Sequence, residues 1–128
     1  MIQQKKRILV VDDEVHILHV VSLKLRNAGY EVLTAQDGRE ALELAQTECP
    51  DVLITDFQMP FLSGLELCRR LRQMPATREI PAIMLTARGF ALEEKAMSDN
   101  GIRICLNKPF SPREVLRLVD EMLAANLA

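Results

Sequence analysis

Asp51-Val52-Leu53-Ile54-Thr55-Asp56-Phe57-Gln58-Met59-Pro60 reads as a short apolar strand that delivers one carboxylate at its end. Val52 to Thr55 form the run and Asp56 closes it. Pro60 cannot continue a sheet ladder, because it has no N–H to donate. An apolar run of this length bounded by a turn suggests a strand buried on both faces, as in a parallel sheet. Ligands of open parallel sheets sit beyond the carboxyl ends of the strands, so Asp56 is where chemistry is expected. The plainer alternative is a solvated aspartate ending a strand.

The same pattern recurs on both sides of this stretch. Upstream, Ile8 to Val11 is a second buried-type strand ending at Asp12-Asp13. A helix with Leu18, Val21, Leu25 and Ala28 at helical spacing follows and stops at Gly29. Residues 31–36 read as a mixed strand. Asp37 to Glu40 forms a capping box, in which the first side chain accepts the third residue's N–H and the glutamate reaches back. Ala41, Leu42, Leu44 and Ala45 are that helix's apolar face.

Downstream, Ser63 to Glu66 is a second capping box, and its helix runs through Leu67, Leu71 and Met74 to Pro75. Ala82 to Leu85 is another buried strand, ending at Thr86. Residues 87–100 read as a helix without a clear cap. Ile102 to Leu106 alternates as an edge strand does and ends at Asn107-Lys108-Pro109. Ser111-Pro112-Arg113-Glu114 is a third capping box with proline at its favoured first position. The last helix carries Val115, Leu116, Val119, Met122 and Leu123 on its apolar face. Five strand–helix units in alternation predict an α/β fold, a doubly wound five-stranded parallel sheet with helices on both faces. Right-handed crossovers leave few topologies, the flavodoxin-like one among them.

Composition bounds the function. A chain of 128 residues fits one domain with one good core, and a 48% hydrophobic, 27% charged makeup is that of a soluble globular protein. Residues 1–6, polar and basic, read as a leader before a domain of 7–125. A formal net charge of −2 supplies no overall attraction to nucleic acid or anionic membrane, so neither direct nucleic-acid binding nor membrane insertion is expected. No apolar run approaches the about 18 residues of a membrane span, and no signal peptide opens the chain. Cys49, Cys68 and Cys105 are odd in number and widely spaced, which suits a reducing cytoplasm better than a disulfide framework or a zinc site. His16 and His19 have no third ligand near them and read as solvated or packed.

The functional signal is positional. Asp12 and Asp13 end the first strand, Asp56 the third, Thr86 the fourth and Lys108 the fifth. In a parallel sheet these ends share one edge. Each residue also has a structural explanation, Asp13 as a helix cap, Thr86 as a strand terminus and Lys108 as a solvated charge. Coincidence on four strand ends is harder to explain that way. Three close carboxylates repel, and one lysine neutralises only one of them. A hard divalent cation such as Mg²⁺ relieves the conflict and would accept phosphate oxygens, with Lys108 and Thr86 contacting others. Asp56 is then a nucleophile forming an aspartyl phosphate.

With these residues in place, the sequence resembles the receiver domains of two-component response regulators, the CheY-like family. The similarity runs from about Arg7 to Leu123 and rests on VVDDE at Asp12-Asp13, LITDFQMP at Asp56, Gly64 at the start of a helix, MLTA at Thr86 and NKPF at Lys108-Pro109-Phe110. The resemblance implies a phosphorelay receiver that takes a phosphoryl group on Asp56 from a histidine kinase or a histidine phosphotransfer protein. It catalyses only its own phosphorylation and dephosphorylation. Mg²⁺ would be held by Asp13, Asp56 and the carbonyl of Gln58, with Asp12 acting through one of the ion's waters. Thr86 would swing towards the phosphoryl group, Lys108 would bind one of its oxygens, and the Lys108–Pro109 bond is commonly cis.

Cys105 departs from the family pattern, since a tyrosine or phenylalanine often stands there and reports phosphorylation by rotating. Without that ring, the switch is expected in residues 87–100, with little movement at Cys105. Gln58 and Arg88 hold variable positions that tune phosphoryl lifetime. Signalling to a downstream output protein or domain, or to a second copy in a dimer, is expected through the last two strand–helix units. Arg88, Phe90, Arg103 and Leu118 are the candidate exposed residues there. Three other readings compete. A haloacid-dehalogenase-like phosphohydrolase normally carries its nucleophile on the first strand as Asp-x-Asp. A flavodoxin has a Ser/Thr-rich phosphate loop where this chain has Asp12-Asp13-Glu14. A non-phosphorylated pseudo-receiver interaction module would not need the complete acid set.

Overall fold

Alternation along the strands decides which layer each side chain joins. Ile8 and Val10 of β1 (Arg7–Val11) pack into one core with Leu18, Val21 and Leu25 of α1 (Val15–Asn27). Leu9 and Val11 turn to the opposite face and a second core. The computed structural model describes residues 5–87 and 89–126, without the side chain of Asn126. Residues 1–4 of the leader and Arg88 lie outside the described residues.

The remaining elements follow in strict alternation. They are β2 (Glu31–Ala35), α2 (Gly38–Glu48), β3 (Val52–Asp56), α3 (Gly64–Arg72), β4 (Ala82–Thr86), α4 (Glu94–Asp99), β5 (Ile102–Asn107) and α5 (Pro112–Asn126). All strand pairs are parallel, in the order β2-β1-β3-β4-β5. This is the flavodoxin-like doubly wound sheet expected from the sequence. Helices α1 and α5 cover one face, where Val115, Val119 and Met122 join the first core. Helices α2 and α3 cover the other with Ala41, Ala45, Leu67 and Leu71. The order reverses between β1 and β3, so Asp12 and Asp56 stand at the switch point, where such sheets bind ligands.

The capping side chains work as the sequence suggests, while two of the glutamates vary. Asp37, Ser63 and Ser111 each accept the N–H three residues on, at 2.9, 3.1 and 3.1 Å. Glu40 reaches back one residue further than expected, to the N–H of Gln36 at 2.8 Å. Glu66 turns instead to Arg69 and Arg70.

Several expectations need correction. Residues 87–100 do not form one helix; α4 covers only Glu94–Asp99, buries no residue and has no side-chain cap at Glu93. Gly89, at φ 79°, breaks any helix started after β4. Helix α1 ends at Asn27, leaving Ala28 exposed, and α3 stops at Arg72, short of Met74. Leu116 is only half-buried. Leu118, expected on an exposed partner surface, is buried at 7% exposure, because α5 turns it into the core shared with α1. Phe90 and Arg103 are exposed as expected. Among the described residues, no helix is long and apolar enough to cross a membrane.

Candidate functional site

Each strand on the β1–β3–β4–β5 side of the sheet ends on a residue with chemistry. Asp12, one residue past β1, is wholly buried and its N–H donates to the carbonyl of Ala35 at 3.2 Å. Its Oδ1 accepts the N–H of Glu14 at 2.9 Å. Its Oδ2 is buried and has no hydrogen-bond partner among the described residues. Asp56 closes β3 at 7% exposure, while Asp13 is exposed beside it. One carboxylate oxygen from each of Asp12, Asp13 and Asp56 lies within 4.8 Å of the others.

Lys108, just past β5, reaches into this group. Its Nζ is 3.2 Å from Asp56 Oδ1, 3.3 Å from Glu14 Oε1 and 3.8 Å from Asp12 Oδ2. The backbone N–H of Lys108 donates to the carbonyl of Thr86 at 2.8 Å, which ties the two strand ends together. The Lys108–Pro109 bond is cis. A cleft of about 440 Å³ opens over the group, lined by Asp13, Glu14, Asp56, Phe57, Gln58, Ala87, Phe90 and Lys108.

Burial and mutual repulsion set the charge states. Burial pushes the Asp12 carboxyl up to about 6 against the N–H of Glu14, and Asp56 adds to the rise. Burial likewise raises Asp56, opposed by the Lys108 ammonium. Burial works against the charge on Lys108, yet Asp12 and Asp56 outweigh it and hold the ammonium above its ordinary value. One ammonium among Asp12, Asp13, Asp56 and Glu14 leaves the site strongly anionic. Three oxygen-donor carboxylates, one with an orphaned buried oxygen, form a donor set that fits a hard divalent cation. No nitrogen or sulfur ligand belongs to that cluster, which disfavours zinc or copper.

Gly64 allows the third helix to start this close. A Cβ there would collide with the backbone carbonyl of Asp56 and come within 2.7 Å of Met84 Sδ. The N–H of Gly64 donates to the carbonyl of Phe57 at 2.7 Å, closing the loop that carries Phe57 and Gln58. Gln58 is exposed at the cleft, whereas Arg88 lies outside the described residues.

Thr86 is fully buried at the end of β4. Its Oγ1 donates to the carbonyl of Phe90 at 3.4 Å and accepts from Asn107 Nδ2 at 2.7 Å. Cys105 is half-buried in the second core, its Sγ 3.8 Å from Met97 Sδ of α4. Burial raises its thiol above the ordinary range.

Three partners were not singled out from the sequence. Glu14 shares Lys108 with the two aspartates. Asn107 stands in register with Thr86 across the β4–β5 pair. The rings of Phe57 and Phe90 meet at 5.0 Å between centroids. The first two adjoin recognised motifs, so attention to strand-end neighbours would have found them. The ring pair brings together two loops 33 residues apart in sequence, and no local pattern announces it.

The fold and this geometry can be set beside known proteins. The model of the response regulator receiver domain matches residues 8–120. The alkaline phosphatase synthesis transcriptional regulatory protein PhoP of Bacillus subtilis is 42% identical over 118 residues, 92% of this chain and 48% of its own length. The phosphate regulon transcriptional regulatory protein PhoB of Rhizobium meliloti is 43% identical over 117 residues, 91% of this chain and 52% of its own. This chain thus spans about half the length of these curated relatives. Among solved structures, the chemotaxis response regulator CheY4 of Vibrio cholerae superposes with a TM-score of 0.84 at 36% identity, covering 92% of this chain and 98% of that one. Neither the family match nor these neighbours support a phosphohydrolase reading.

Proposed function

This chain belongs to the response regulator receiver domains, signalling units of phosphorelays, and on that premise we propose that Asp56 is its phosphoacceptor in an Mg²⁺-dependent reaction. The observation that carries the reading is the meeting of Asp12, Asp13 and Asp56 within 4.8 Å, with Lys108 Nζ 3.2 Å from Asp56. The receiver unit is residues 7–125. It acts in the cytoplasm.

An Asp56 carboxylate oxygen forms a bond to phosphorus as the P–N bond of a donor phosphohistidine breaks. The electron pair leaves with the imidazole nitrogen, which takes up a proton from water. Little covalent work falls to the protein, so positioning and charge neutralisation dominate. Lys108 holds a phosphoryl oxygen, exchanging part of its interaction with Asp56 for the new anion. Thr86 donates its hydroxyl to another. Asp13, Asp56 and the carbonyl of Gln58 would hold Mg²⁺, with Asp12 close behind them. Bound there, the ion offsets the negative charge that the phosphoryl group adds to the carboxylates. Gln58, two residues after Asp56 in sequence, and Arg88, two after Thr86, tune how long the acyl phosphate survives. The protein works on no substrate but itself.

The donor is a histidine kinase or histidine phosphotransfer protein. An apolar cleft lined by Ile17, Val20, Pro109 and Phe110 shares Glu14 and Lys108 with the acidic cleft, so a partner seated there would present its histidine at the acids. Output runs through β4–α4 and β5–α5 to a downstream protein or domain, or to a second copy. Cys105 cannot sweep out the volume of a ring, so the switch lies in the segment from Ala87 to Asn100. Acetyl phosphate with Mg²⁺ should label the wild type and leave Asp56→Asn unlabelled. Equal labelling of the two would remove Asp56 from its role.

A further inference from the structure

We infer that Asn107 is a positioning residue, which orients the Thr86 hydroxyl as a donor to the phosphoryl group and fastens the β4–α4 loop until that donation is redirected. This rests on the phosphoacceptor reading of Asp56. The Asn107 Nδ2 lies 2.7 Å from Thr86 Oγ1, 3.1 Å from the carbonyl of Ala87 and 2.7 Å from the carbonyl of Phe90. Two of these three neighbours are carbonyl oxygens, which only accept, so the amide nitrogen must face them. With two N–H groups for three acceptors one is shared, and the two shortest contacts, at 2.7 Å, are those to Thr86 Oγ1 and the carbonyl of Phe90. A hydroxyl has one proton, and with an N–H directed at its lone pairs that proton turns away from Asn107. It is now spent on Phe90 at 3.4 Å, the longest contact of the group.

That arrangement has two stable settings for Thr86. Without a phosphoryl group, its proton goes to the carbonyl of Phe90, and Asn107 ties Ala87 and Phe90 to the end of β5. With an acceptor oxygen on Asp56, the Thr86 proton moves to the shorter, charge-assisted bond, and Phe90 is left with Asn107 alone. The ring of Phe90 packs on that of Phe57, the residue after Asp56, so the loop is coupled to the acceptor from both sides. Asn107 reaches Thr86 because the two are register partners across the β4–β5 pair. It touches none of the three clustered acids, so its action is confined to the phosphoryl end of the site.

Beryllofluoride with Mg²⁺, a phosphoryl mimic, is the probe, titrated by NMR into wild type, Asn107→Leu, Thr86→Val and the double variant. Leucine keeps the amide's shape and removes both donors. Asn107→Leu is expected to weaken beryllofluoride binding about tenfold, the worth of one lost hydrogen bond. Mg²⁺ affinity alone should be unchanged. The double variant should be no weaker than Thr86→Val, because Asn107 acts through that hydroxyl. Equal affinity of wild type and Asn107→Leu, or additive losses in the double variant, would overturn the inference and leave Asp56 untouched. Failure of the wild type to bind beryllofluoride would overturn the phosphoacceptor reading and this inference together. If the leucine variant does not fold, Asn107→Ala carries the same expectations.

Discussion

Asp12 carries its charge in an unfavourable place. It is wholly buried, its Oδ2 has no hydrogen-bond partner among the described residues, and burial lifts its carboxyl to about 6. Between its ordinary value of 3.8 and about 6, the folded metal-free protein keeps a proton that the unfolded chain releases. Stability from this group is therefore present at low pH, falls as pH rises through that window, and is fully lost above it. Asp12→Asn should remove that component and stabilise the chelator-treated protein at pH 7 by roughly 1–3 kcal/mol. Saturating Mg²⁺ should return the loss in the wild type, because binding to the folded state alone stabilises it. Urea unfolding at pH 4 to 7, with chelator and with Mg²⁺, measures both. A wild type that gains no stability from Mg²⁺ at pH 7 would separate this cluster from metal binding.

Among the elements, α3 is placed with little tolerance. Gly64 brings its first turn against the backbone of Asp56, where a Cβ would strike the carbonyl oxygen. Gly64→Ala should cost about 1–3 kcal/mol by overpacking, with a matching loss of phosphorylation rate as the Asp56 loop shifts. Thermal unfolding beside acetyl phosphate labelling checks the pair, and an unperturbed variant would mean that the loop gives way freely. Elements with an apolar period and a side-chain cap were legible in the sequence. Asp37, Ser63 and Ser111 mark three helix starts correctly, and the apolar runs of β1, β3 and β4 mark central strands. Helix α4 was not legible to the same degree. Glu93 offers no side-chain cap and no α4 residue is buried, so neither signal on which a sequence reading depends is present. The error at Leu118 has a different cause. Its helix packs against both the sheet and α1, which widens the buried stripe beyond the positions a single face would claim.

At the scale of the whole molecule, a parallel sheet turns residues scattered over 97 positions, from Asp12 to Lys108 counting both ends, into one site. Neither acidic strand end could do the chemistry alone. In the proposed reaction Asp12-Asp13 would supply charge for a cation, Asp56 the nucleophile and Lys108 the counter-charge. The meeting of these residues was legible because β–α alternation places all the strand ends on one edge. The contacts of Asn107, Glu14 and the Phe57–Phe90 pair were not, since they depend on register and loop path. The two cores on either side of the sheet hold that edge in place, while the short α4 and its preceding loop lie at the margin. Direct chemical mapping of the acceptor tests the central claim. The protein is phosphorylated with acetyl phosphate and Mg²⁺, treated with borohydride to reduce any acyl phosphate to an alcohol, and digested for peptide mass mapping. Conversion of residue 56 to homoserine, dependent on Mg²⁺ and confined to that position, is the predicted result. Reduction at Asp12 or Asp13, or at no aspartate after verified phosphorylation, would contradict the account.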